Sequence, residues 1–332
     1  MAGVSSPQQA QMMKKVGLVG GRGYVGEELL KLLLPHPGFA LEYLVSRSLA
    51  GQRLVDVFPG LAGLPGADSL AFEQLTEDQV AQRACDVVVL ARGNGEAQPF
   101  VDALDSAGNT AGIVDISADY RFDDRWTYGL PEVAGTALNG ARRVANPGCY
   151  ATATQLGLLP LLDQLAGVPQ AFGVSGFSGA GRTPSPRNDP DRLKDNLLPY
   201  KLSGHLHEAE VSHQLGRDVQ FMPHVAEFFR GISVTLAAPL REPMTPVQLT
   251  ETFASYYERF PLVAVSEEIP EVAQVRGTFG ARIGGFSVDE RRPQQIRWVA
   301  CIDNLLKGAA SQALENMNAM TGLEPLAGLT SQ

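Results

Sequence analysis

Cysteine is scarce in this sequence: Cys85, Cys149 and Cys301 are the only three in 332 residues. An odd, widely spaced set offers neither a disulfide framework nor paired metal-ligand spacing, so a reducing compartment, the cytoplasm, is the expected setting. Long apolar runs are also missing. The stretch at 87–91 is far too short to span a bilayer, and the first 13 residues are small and polar, without the apolar segment of an export signal. They read as a disordered tail. Positive charge is in deficit, with 27 Lys and Arg against 36 Asp and Glu and a formal net charge of -9. No broad basic surface is available for nucleic acid or an anionic membrane, so any anionic ligand must be held locally.

What the sequence does have is length and pattern. At roughly 150 residues per domain it suggests two domains. Residues 16–19 form a short apolar run that reaches a glycine cluster, and an amphipathic stretch follows through Leu29, Leu30, Leu33 and Leu34. Pro35 and Pro37 stop that helix, and the apolar run 41–45 completes a β-α-β unit. Runs at 86–91 and 113–116 read as further buried parallel strands, with ligands expected at their carboxyl ends. Beyond Asn146 a helix striped by Leu156, Leu159, Leu162 and Leu165 leads to a Gly/Ser/Pro/Arg segment, 175–190, too long for a simple connector. Strands are expected within 219–240 and 294–302, with a helix near 246–259 between them and a last strong helix from Asn304 to about Met320. The expected fold class is α/β: a Rossmann-type dinucleotide-binding domain plus an α+β domain with a mixed sheet.

The glycine cluster Gly20-Gly21-Arg22-Gly23-Tyr24-Val25-Gly26 lies between strand and helix, where bare backbone N–H groups can approach a pyrophosphate. Gly20, Arg22, Gly23, Tyr24 and Val25 are the expected contacts. An NAD site places Asp or Glu at the end of the second strand, whereas Ser46-Arg47-Ser48 stands there. Arginine and two hydroxyls suit a 2'-phosphate, so NADP(H) is expected over NAD.

Asn146-Pro147-Gly148-Cys149-Tyr150 sets a cysteine at the start of the leucine-striped helix. The positive end of the helix dipole lowers a thiol pKa there, which makes Cys149 the candidate nucleophile, held as a thiolate. Cys85 and Cys301 sit beside or within apolar strands and read as small core residues. His205 and His207 stand out among 5 histidines, with acidic neighbours including Glu210. One of the pair could serve as acid and base; His-x-His is also a metal-ligand spacing, but no Cys or further His completes a tetrahedral set, and no metal is expected. His224, near Arg230, could help bind substrate or be structural. Arg121 and Arg182, each in a loop, could hold phosphate or carboxylate by bidentate hydrogen bonds.

Together these residues resemble the N-acetyl-gamma-glutamyl-phosphate reductases, arginine-biosynthesis relatives of aspartate-semialdehyde dehydrogenase, from Lys15 to Leu329. The likeness runs through Gly-Tyr-x-Gly-x-Glu-Leu at the turn, Ser117 to Arg121, Tyr128 to Glu132, Asn146 to Tyr150, the loop ending in Arg182, His-x-His with Glu210, Pro-His at His224, Arg-Gly-Ile at Arg230, and Asp303 to Ala310. It implies Cys149 as thioester nucleophile and His207 as acid-base, with His205 and Glu210 close to substrate. It also implies a terminal helix that returns to the nucleotide domain, with Asn304 near the cofactor. The implied division is 14–148 with 303–332 for NADP, and 149–302 for catalysis and oligomerisation as a homodimer or homotetramer. Two departures are Arg92-Gly93-Asn94-Gly95, where the family has Leu-Pro-His-Gly, and Ala151, where it has proline. The expected activity is NADPH-dependent reduction of a small acyl phosphate to an aldehyde. Sister reductases acting on aspartyl phosphate or on a carrier-linked aminoadipyl phosphate share every catalytic group and stand as alternatives.

Overall fold

A computed structural model describes residues 13–329; apart from Met13, the expected N-terminal tail lies outside the described residues. Six strands, β1 (Lys14–Val19), β2 (Phe39–Val45), β3 (Val87–Leu90), β4 (Gly112–Asp115), β5 (Thr127–Tyr128) and β6 (Arg143–Ala145), form one parallel sheet in the order β2-β1-β3-β4-β6-β5. All four residues of β3 are buried, as a strand covered on both faces requires. The chain leaves β1 toward β2 and returns on its other side as β3, so the strand order reverses there and opens a crevice at their carboxyl ends.

A second, mixed sheet holds β7 (Gln170–Gly176), β8 (Leu197–Pro199), β9 (Gln220–Ala226), β10 (Ile232–Pro239), β11 (Val263–Ser266), β12 (Ala281–Asp289) and β13 (Arg292–Ile302), in the order β11-β12-β13-β10-β7-β9-β8. Burial alternates along β10, with Ile232, Val234, Leu236 and Ala238 turned inward. The Cys149–Leu158 and Pro246–Tyr257 helices cover that inner face. Neither β7, β8, β11 nor β12 was expected from the sequence: glycine and polar residues interrupt the apolar alternation of β7 and β12, and β8 and β11 are only three and four residues long.

Two helices differ from expectation. The leucine-striped helix ends at Leu158 and continues to Gln164 as a tighter 3-10 turn, because Pro160 has no N–H to give the α-helical ladder. The last helix begins at Ala310, not Asn304, and ends at Thr321. Before it, Asp303 accepts the N–H groups of Leu305 and Leu306 at 2.8 and 3.2 Å and folds the chain into a compact turn. Gly308 lets that turn approach Cys149: a Cβ there would stand 2.7 Å from the Cβ of Cys149. The helix then buries Leu314 and Met317 against Leu29, Leu30 and Leu33 in the core of the first sheet.

Lys307, in the same turn, is fully buried, with its Nζ 2.9 Å from Glu132 and 2.9 Å from Glu315. Two carboxylates and one ammonium away from water are tolerable only while the ammonium stays between them. Lys307→Met therefore lowers stability by about 3–5 kcal/mol, read as a fall in the urea midpoint, and Glu315→Gln in the same chain restores part of it.

Candidate active site

The site starts from the glycine turn after β1. Gly20 has φ +96°, and a Cβ on it would lie 2.2 Å from the carbonyl oxygen of Ala91, so only glycine lets β1 and the end of β3 come this close. Gly26 lies so near Gly21 that an added Cβ would be 2.7 Å from its Cα, which sets the Tyr24–Leu33 helix tightly on the turn. No side chain caps that helix, and the first N–H groups of a helix have no partner within it. They face a cavity of about 380 Å³ whose walls include Gly20, Gly23, Tyr24, Val25 and Asn304. A Cβ on Gly23 would meet no protein atom within 4 Å, which leaves open space where a pyrophosphate belongs. The residues present fit a dinucleotide.

Ser46, Arg47 and Ser48 follow directly on β2. Arg22 donates to Ser48 Oγ at 3.3 Å, which joins the glycine turn to this corner; Arg47 is exposed and paired with Glu77 at 2.9 Å. Asn304 accepts the Gly231 N–H at 2.6 Å and donates to Ser178 Oγ at 2.9 Å, which fixes the turn after β13 to residues 178 and 231 beside the cavity.

Cys149 is the first residue of its helix, with Gly148 as cap, and lines both this cavity and a second of about 480 Å³. His207 also lines both. Its Nε2 lies over Gly148, where an added Cβ would be 2.3 Å away, and Arg121 Nη1 would be 2.7 Å from the same point. Glycine at 148 is thus what allows imidazole and guanidinium to close over the backbone just before Cys149. Arg121 is held on three sides, donating to Asn146 O at 2.9 Å, Ile116 O at 3.0 Å and Glu210 Oε2 at 2.9 Å. Glu210, fully buried, also accepts from Tyr128 OH and from the Gly148 N–H, both at 2.8 Å. It positions the site's other groups and has no oxygen to spare for a substrate.

The electrostatics reverse one expectation. Cys149 does stand at a helix start, and backbone N–H groups and Arg121 favour its thiolate, yet burial outweighs them and pushes the thiol up to about 11. The sulfur is half-buried, reachable from the cavities but hemmed in closely enough to lose most of its hydration. Burial, then Arg121 and His205, holds His207 well below the ordinary imidazole value, and its Nδ1 has no partner among the described residues. The pair is a neutral thiol beside a neutral imidazole. Burial likewise lowers His205 to about 4.

Other anticipated residues fall in different places. His205 caps the Leu206–Leu215 helix, its Nδ1 accepting the His207 N–H at 3.1 Å, and its ring lines the second cavity. Arg182 is not beside Cys149: it pairs with Glu27 on the nucleotide-domain helix and lies 4.4 Å over the ring of Tyr24. The loop needs that length to cross to the other domain, where the acidic first helical turn captures the guanidinium. His224 reaches neither cavity, since strand alternation turns its ring outward against Phe172 at 4.3 Å; only its carbonyl takes part, accepting from Tyr150 OH at 2.5 Å. Arg230 bridges Asp303 at 2.6 Å and Glu28 at 3.2 Å and serves the domain seam.

Arg187 and Lys201 were missed. Both line the second cavity with Cys149 and His207, Arg187 lying 5.0 Å over the ring of Tyr200 and Lys201 held at φ +41°. Their only trace in the sequence is two cations in the polar stretch before the histidine pair. Asn94, from the departing segment, joins them and accepts the Ala118 N–H at 3.1 Å.

Similarity to known proteins agrees with this arrangement. The profile described as semialdehyde dehydrogenase, NAD binding domain, matches residues 15–141, and that described as semialdehyde dehydrogenase, dimerisation domain, matches 149–304. N-acetyl-gamma-glutamyl-phosphate reductase of Xanthomonas campestris pv. campestris strain B100 is 49% identical over 94% of this chain and 96% of its own. That of Stenotrophomonas maltophilia strain R551-3 is 50% identical over 94% and 96%. Among solved structures, aspartate semialdehyde dehydrogenase II of Vibrio cholerae complexed with ASA covers 94% of this chain and 99% of its own at TM-score 0.74; at 16% identity, that likeness is one of fold. The chain belongs to the N-acetyl-gamma-glutamyl-phosphate reductases, within the semialdehyde dehydrogenase family.

Proposed function

We propose that this enzyme reduces N-acetyl-gamma-glutamyl phosphate to N-acetylglutamate 5-semialdehyde and phosphate, with NADPH as reductant and a thioester on Cys149, as a cytoplasmic step of arginine biosynthesis. The observation that carries the reading is that Cys149 and His207 line a single cavity with the glycine turn of the dinucleotide domain. The relatives' names support this choice of substrate. Arg187 and Lys201, which line the second cavity with Cys149, supply positive charge for its α-carboxylate. A homodimer or homotetramer built on the outer face of the second sheet is supported by the dimerisation-domain match and by Phe172, 37% exposed on that face. No helix among the described residues is long and apolar enough to cross a membrane.

Because thiol and imidazole are both neutral, proton transfer accompanies attack. His207 takes the thiol proton as the sulfur bonds to the acyl carbon, and phosphate departs to leave a thioester. Arg121 keeps N–H groups beyond its three fixed bonds and offers them toward the anion that forms. When bound, NADPH supplies the hydride that converts the thioester to a thiohemiacetal. The protonated His207 gives its proton to the oxyanion; in the collapse it takes the hydroxyl proton back and passes it to the sulfur as the C–S bond breaks, which restores the thiol and releases the aldehyde. Arg22, Arg47 and Ser48 form the corner that would hold a 2'-phosphate.

The decisive assay runs in reverse, following NADP reduction with phosphate and either N-acetylglutamate semialdehyde or aspartate semialdehyde; preference for the latter overturns the substrate assignment. Cys149→Ser abolishes turnover while NADPH binding stays near normal. Arg47→Ala weakens NADPH by about tenfold or more and leaves NADH little changed; equal losses for both would argue against a 2'-phosphate contact. Iodoacetamide labelling of Cys149, followed by peptide mass spectrometry, rises about tenfold per pH unit from neutrality and bends only near pH 11. A plateau below pH 8 would mean that a thiolate already exists at rest.

A further inference from the structure

A third cavity, of about 480 Å³, shares no wall residue with the two that meet at Cys149. It lies where residues 131–139 of the first domain, the turn 259–262 of the second and the end of the last helix come together. Seams between domains are common places for small-molecule sites, and this volume is in their range. Leu138, Phe260 and Leu326 give it an apolar side, and Glu132, Glu315 and Glu324 give it negative charge. Arg259 also borders it but is exposed, with its guanidinium over the ring of Phe260 at 4.9 Å.

The acidic side is more than a surface cluster. Glu132 is 5% exposed; its Oε1 holds Lys307 at 2.9 Å, while its Oε2 is buried with no hydrogen-bond partner among the described residues. An interior carboxylate oxygen without a donor is costly, and the residue that carries it also lines the cavity, the side from which a donor would come. The charge count agrees: Lys307 is one cation between two carboxylates, and burial, with Glu132 beside it, pushes Glu315 up to about 7, so near neutrality the group takes up a proton where a second cation would otherwise serve. No gathering of three or more His, Cys, Asp or Glu that could hold a metal ion occurs among the described residues, and a hard divalent cation needs more oxygens than this wall gives.

We propose that this cavity binds a small organic cation, an ammonium or guanidinium on a short apolar chain, and that its binding is felt at the nucleophile. The charged end pairs with Glu132 and Glu315; the chain lies against Leu138, Phe260 and Leu326. The route to the nucleophile is short. Lys307 precedes Gly308, whose missing Cβ would sit 2.7 Å from that of Cys149, so a shift of the turn is passed directly to the catalytic residue.

The test uses the full chain with agmatine and n-butylammonium as probes, butyrate as an anionic control and magnesium chloride as a metal control, at matched ionic strength. Calorimetric titration and thermal unfolding should give saturable binding and a raised Tm for the two amines alone. Glu132→Gln should weaken agmatine by about tenfold. Leu326→Trp, which fills the rim without touching the buried charges, should abolish binding while turnover without amine stays normal. A response to butyrate or magnesium equal to that of agmatine, undiminished binding by Leu326→Trp, or no saturable binding overturns the site. Labelling of Cys149 by iodoacetamide should change at least twofold when agmatine saturates, and an unchanged rate overturns the link to the nucleophile.

Discussion

The carboxylate of Glu210 is the fixed point of this molecule. It comes from the second domain, yet one oxygen holds Arg121 of the first, and the other takes the phenol of Tyr128 and the backbone N–H just before the nucleophile. Glu210 is fully buried and Arg121 is 7% exposed. Pairing two charges out of water yields little net stability, so the return lies in specificity: either group left alone would be a bare interior charge. Both domains must therefore meet in one register, and that register sets His207 over Gly148 and Cys149 between two cavities.

The same desolvation that makes this pair exacting governs the reactive groups. A helix start and a guanidinium both favour a thiolate at Cys149, but hydration lost by the sulfur is the larger effect, and the enclosed imidazole is held neutral for the same reason. A neutral thiol is a poor nucleophile, so in the proposed reaction Cys149 rests unreactive toward chance electrophiles. On the proposed mechanism, charge separates only as the sulfur attacks and the imidazole takes the proton in the same event.

Much of this was legible in the sequence. The glycine turn, the β-α-β unit around it, the cysteine at a helix start and the histidine pair all rest on local rules of period, turn chemistry and capping, which neighbouring residues reveal. What was hidden is long-range. Nothing near Arg182 says that its loop crosses to Glu27, and nothing near His224 tells which way its strand faces, because register decides that. The thiol's ionisation was misread for a related cause: the dipole belongs to the helix's own residues, whereas burial depends on His207 and Gly308, far away in the chain. Arg187 and Lys201 carry no motif at all and acquire a role only through the fold.

The turn 303–309 gathers these threads. Asp303 binds Arg230, Asn304 binds Gly231 and Ser178, Lys307 sits between two carboxylates, and Gly308 touches Cys149. A regular helix from Asn304, which the apolar spacing alone would favour, could not do all four, since its residues would face outward at even angles from one axis. Breaking the helix exposes backbone groups that Asp303 must satisfy through Leu305 and Leu306. The gain is a single short segment in contact with both domains and the nucleophile, so the position of Cys149 is a property of the domain seam rather than of its own helix alone.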